Sequence, residues 1–102
     1  MDLKVSLDET QVYLFECVVR HLQSSHGYSH DDAVRLVNGY YANFTDARYC
    51  SEHGIPVQNA DFFSHIGAKS MADRVHYYQG QGNVPNEVAF VEWQRKFVGH
   101  QD

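Results

Sequence analysis

Apolar residues recur along this chain at three- and four-residue intervals, the spacing of helices with one buried face. Ser6-Leu7-Asp8-Glu9 has the form of a capping box, with Ser6 serving the N3 amide and Glu9 reaching back. Behind it Leu7, Val12, Phe15, Val18, Val19 and Leu22 share one face. Glu9, Glu16, Arg20 and Gln23 lie opposite, and Glu16 and Arg20 have the favourable i,i+4 spacing. This predicts a helix over 7–25, stopped by Gly27. Ser29 then caps a second helix, with Asp31 and Asp32 in its first turn, where the helix dipole favours acids. Its stripe is Ala33, Val34, Leu36, Val37, Tyr40, Tyr41 and Phe44, with Gly39 on the other side.

Thr45 or Asp46 can cap a short helix from Ala47 to His53, closed by Gly54 and Pro56. Asn59 can cap the next one. A continuous helix through Gly67 to Gln79 would set Arg74 among its apolar residues. A break at Gly67 instead groups Ala68, Met71, Ala72, Val75 and Tyr78, with Arg74 at the edge, which is the cleaner face. After the loop Gly80-Gln81-Gly82-Asn83, Pro85 suits the first turn of a last helix over 85–98. That helix is apolar on two sides: Phe90, Trp93 and Phe97 on one, Val88, Val91 and Val98 on the other. The first stripe is expected to be core, with Trp93 as anchor together with Phe90 and Phe97. No segment alternates apolar and polar residues over a strand's length. The expected fold is therefore one all-α domain spanning 1–102, a compact orthogonal bundle of about five helices.

Composition narrows the classes. With 102 residues, 43% hydrophobic and 14% aromatic, the chain can build a core without a metal or disulfide. No cofactor is expected. Net charge is −5 and unevenly placed: residues 1–32 carry six acids against Lys4 and Arg20, a balance of −4. Such an end repels phosphate backbones and anionic membranes and attracts basic proteins. The eight basic residues are scattered, so nucleic acid is not an expected partner. No segment has the length and apolarity of a membrane span. With no secretion signal visible, a cytoplasmic location and reduced thiols at Cys17 and Cys50 are the expectation.

Candidate chemistry concentrates between Asn59 and Tyr78. Asp61 and His65 are four residues apart, and Asp73 and His76 three, so each carboxylate could orient its imidazole as in metal or general-base sites. With Arg74 they define a candidate polar site: Asp61, His65, Asp73, Arg74 and His76. Helix-surface pairing and capping are the plainer explanation of the same spacing. Cys17 with His21, and Cys50 with His53, would make a zinc set if their helices met, but no close cysteine pair supports it. Nucleophilic and phosphate-cradling motifs are missing, and the chain is not expected to be an enzyme.

In size, acidity and helical character the whole chain resembles the small immunity proteins of bacterial toxin–immunity pairs, including contact-dependent inhibition systems. The resemblance implies a module that binds and neutralises a cognate toxin, in many cases a basic nuclease. Glu9, Glu16, Asp31 and Asp32 are the residues of the acidic end expected to meet such a partner. Two alternatives carry different expectations. One is a small metal-binding or hydrolytic domain built on Asp61, His65, Asp73 and His76. The other is a homodimeric structural protein joined through the valine side of the last helix.

Overall fold

Asp8, rather than Ser6, starts the first helix. In a computed structural model describing residues 2–99, the last two by backbone alone, Asp8 accepts from the Gln11 amide at 3.1 Å. Ser6 instead turns its hydroxyl to the Asp8 amide, 3.0 Å away. Aspartate caps at least as well as serine, and moving the cap two residues on ejects Leu7, which is fully exposed. Helix α1 thus runs Glu9–His26 and buries Phe15, Val18, Val19 and Leu22. Glu16 and Arg20 form no ion pair among the described residues. Gly27 ends α1 in the left-handed region, as its position predicts.

Ser29 caps α2, His30–Phe44, through the Asp32 amide. Ala33, Val34, Val37, Tyr40 and Phe44 are buried along it. Gly39 does not lie on an idle polar side: Gln79 passes so near that a Cβ there would meet its amide nitrogen at 2.8 Å. Asp46 caps the short α3, Ala47–Glu52. Asn59 caps α4, Ala60–Ile66. Gly67 then breaks the chain at φ 85°, ψ 161°, a conformation open in practice to glycine alone. The break lets α5, Ala68–Val75, leave in a new direction and bury Met71, Ala72 and Val75 together with Asp73 and Arg74.

From His76 to Gly80 the backbone widens into a π turn, closed by the Gln81 amide on the His76 carbonyl at 2.9 Å. The last helix, α6, runs Glu87–Gly99, two residues later than Pro85 suggests. Asn86 supplies its cap, accepting from the Ala89 amide at 3.0 Å, so Pro85 stands ahead of the helix. The described residues thus form six α-helices and one π turn, all-helical and without a strand. Six replaces the expected five or so because the Gly67 break is complete.

Helix α1 packs against α5 and α2 around Phe15, Val18, Leu22, Val37, Met71 and Val75. Phe15 meets Phe63 and Tyr41 edge to face at 5.2 and 5.7 Å. Helix α6 docks through rings. Phe90 is buried against Tyr77 and Tyr78, at 5.5 and 5.7 Å. Of the rings expected to anchor α6, Phe90 is fully buried, whereas Trp93 packs at the margin of this core, only partly buried. Val88 and Val91 are exposed, and the Val98 side chain lies outside the described residues.

Candidate functional site

Three sites stand out, and the first is the acidic face of α1 and α2. Glu9 and Glu16 are both exposed, two turns apart on α1. Asp31 and Asp32 are exposed in the first turn of α2. Asp32 accepts from Arg35 at 2.9 Å, and Asp31 stands 3.8 Å from His30. An open groove of the same face has buried Val19 and Val34 at its floor and half-buried Leu3 and Val12 on its walls. Asp2, Glu16, Arg20 and His30 also line it. The N-terminal segment forms one wall because Asn38 clamps it, donating to the Asp2 carbonyl at 3.0 Å and accepting from the Lys4 amide at 2.6 Å.

The second site is a polar cluster where α1 ends. His26, almost fully buried, donates from Nε2 to Asp73 Oδ1 at 3.0 Å. The Gln94 amide reaches both Ser70 Oγ at 2.9 Å and Asp73 Oδ2 at 3.3 Å. The His76 ring lies parallel to that of His26 at 4.1 Å. His76 Nδ1 is 2.7 Å from the Tyr28 hydroxyl, and its Nε2 is 3.3 Å from Gln81 Nε2. Gly80 admits the Tyr28 hydroxyl at its Cα, where any Cβ would collide. Burial, then the neighbouring His26, holds the His76 imidazole below its ordinary range, against the opposing pull of Asp73.

The third is the Arg74 site. Its guanidinium, buried with its chain, forms a two-pronged pair with Glu87, at 3.0 and 2.7 Å. The Tyr78 hydroxyl donates to the same carboxylate at 2.6 Å. The Phe90 and Phe62 rings lie 4.7 and 5.1 Å from the guanidinium carbon. Arg74 Nε is buried without a hydrogen-bond partner among the described residues. Burial pushes the Glu87 carboxyl up, but bonds from Arg74 and Tyr78 and the Arg74 charge outweigh it and hold the group below the usual range. Burial raises the Tyr78 and Tyr40 phenols far above theirs.

The five residues singled out between Asn59 and Tyr78 therefore do not assemble into one site. Asp61 and His65 are exposed on α4 and form no bond with each other. They occupy the first and last turns, where the helix dipole suits an acid and a base. Asp73 turns to His26 rather than to His76, because α1 delivers a ring nitrogen to it end-on. Arg74 belongs to Glu87. The partners His26, Tyr28, Gln94 and Glu87 escaped the sequence pattern, since each reaches its site from another element. One signal for Glu87 existed: an arginine at the edge of an apolar face calls for a carboxylate nearby.

Among the described residues no group of three or more His, Cys, Asp or Glu side chains is placed to hold a metal ion. Cys50 is buried and donates to the Phe44 carbonyl at 3.4 Å, with its thiol raised by burial and then by Asp46. His53 bonds the Tyr49 carbonyl at 2.9 Å instead of a thiol. No helix among the described residues is long and apolar enough to cross a membrane. No protein-family model, curated protein or solved structure matches the chain.

Proposed function

We propose that this chain is a protein-binding module of the immunity type, which neutralises a cationic partner protein, in the first instance a nuclease toxin, through its acidic α1–α2 face. The observation that carries this reading is the exposure of Glu16 at a groove with an apolar floor, with Glu9 exposed two turns earlier on the same helix. Charge brings a basic partner in, and the valines and Leu3 give it somewhere to bury apolar surface. Asp31 and Asp32 add negative charge at the start of α2, beyond the other end of α1, although each also serves the α2 dipole. The hydrolytic alternative has less behind it: its four residues divide between exposed positions on α4 and a partly buried network around His26. The test is co-expression with the product of the neighbouring gene. Toxicity of that product alone, relieved by this protein and not by Glu9→Lys/Glu16→Lys, is the expected result. A neighbour that is harmless alone, or one that the protein fails to bind, overturns the reading.

A second copy of the chain is the other reading, favoured by Val88 and Val91, which are 70% and 37% exposed on the outer side of α6. A mass in solution twice that of the chain, lost in Val88→Lys, would establish it.

A further inference from the structure

Four elements and one turn meet at the stacked imidazoles. His26 comes from the last turn of α1 and His76 opens the π turn. Tyr28 reaches in from the turn between α1 and α2, and Asp73 from α5. From α6, Phe97 lies 5.4 Å from the His26 ring and Trp93 lies 5.9 Å from that of His76.

Hydrogen-bond polarity fixes the state of His76. Asn83 donates to the Tyr77 carbonyl at 2.9 Å, which sets the direction of its amide. The same Nδ2 donates to Gln81 Oε1 at 3.3 Å, so Gln81 must turn its NH2 group to the imidazole. His76 Nε2 is then an acceptor. Its proton sits on Nδ1 and is donated to the Tyr28 oxygen. The network is complete only with a neutral ring. A second proton would go to Nε2 and face the N–H of Gln81, so that bond would become a repulsion. The same proton would place a cation face to face with His26.

We propose that the His26–His76 stack is a proton-operated latch, which holds the closing end of the π turn, at Gly80 and Gln81, and the loop behind it against the end of α1 and lets them go when His76 is protonated. The groups that face His76 favour release over accommodation. From α1 it meets His26, whose proton would only add like charge. From the α1–α2 turn it meets Tyr28, whose phenol burial raises, so it stays uncharged. From α5 it feels Asp73, whose oxygens already accept from His26 and Gln94. From α6 it meets the Trp93 ring. Beyond the latch the loop is held by Asn83 on the Tyr77 carbonyl, while Gln81, Gly82 and Val84 are exposed. His76 is only partly buried, so a proton can reach it from solvent. Opening is therefore local, at Gly80 and the loop behind it, because Tyr77 and Tyr78 of the π turn are buried in the core and stay there.

The test is amide hydrogen exchange and imidazole titration by NMR on the full chain, between about pH 7.5 and about pH 5. The Gln81 amide, which bonds the His76 carbonyl, should lose about tenfold of its protection as His76 titrates, while Val37 and Tyr40 amides in α2 keep theirs. Gln81→Glu, at an exposed position, gives the imidazolium a carboxylate to bond and still accepts from Asn83. It should raise the His76 midpoint by about one unit and keep Gln81 to Asn83 protected in acid. His76→Gln should abolish the pH response. Equal protection of this segment at both ends of the range in the wild type would overturn the proposal. So would a Gln81→Glu variant that opens at the same pH as the parent.

Discussion

Single side chains hold this fold through a few charged contacts in an otherwise apolar interior. Arg74 is the clearest. Its charge is buried, and Glu87 is the carboxylate that compensates it. Glu87→Gln keeps the shape but leaves the guanidinium without a counter-charge. It should cost about 1–3 kcal/mol in chemical denaturation, less than for a fully buried pair because Glu87 is half-exposed. A variant as stable as the parent would mean that the pair contributes little. Two groups also set the acid limb of stability. His76 lies below its ordinary 6.5 in the fold, so the unfolded chain takes its proton first. Its contribution is complete above about pH 6.5 and fades as pH falls through the folded value. Glu87 lies below its ordinary 4.5, and its contribution is complete above that pH and fades below it. Melting temperature should therefore decline first below about pH 6.5 and again below about pH 4.5. His76→Gln should remove the first decline and leave the second. A melting temperature that rises on acidification would contradict both assignments.

The helices show how far pattern alone reaches. Capping residues and glycines mark ends by local chemistry, so Ser29, Asn59, Gly27 and Gly67 are legible from the sequence and act as it predicts. Local competition is harder to read. Ser6 and Asp8 both fit a cap, and the choice between them moves Leu7 from core to solvent. Pro85 and Asn86 compete in the same way at α6. The polar clusters were the least legible. Spacing of three or four along one helix says which residues could touch, but His26–Asp73 and Tyr28–His76 are separated by 47 and 48 positions. The π turn is equally silent, since no residue type demands it. At α6, burial ranks the expected anchors, Phe90 above Trp93. Phe90→Ala should cost about 3–5 kcal/mol, as a fully buried aromatic does, and Trp93→Ala about half as much. Thermal unfolding of the two variants compares them directly. A larger loss at Trp93 would mean that the margin, not the centre, holds α6 down.

The molecule as a whole is electrostatically lopsided. Of its net charge of −5, −4 falls on residues 1–32, which form the N-terminal segment, α1 and the start of α2 and line most of the groove. That asymmetry speeds encounter with a basic partner more than it tightens the final complex. The immunity-type reading stands or falls on it. The most direct measurement is the association rate with the neighbouring gene's product at two salt concentrations, for the wild type and for Glu9→Lys/Glu16→Lys. Both positions are exposed, so the fold should survive the change. The expected result is fast, salt-sensitive association in the wild type. In the variant it should slow by about tenfold and lose much of its salt dependence, with dissociation changed far less. Association that ignores both salt and charge reversal, or no association at all, would contradict the account.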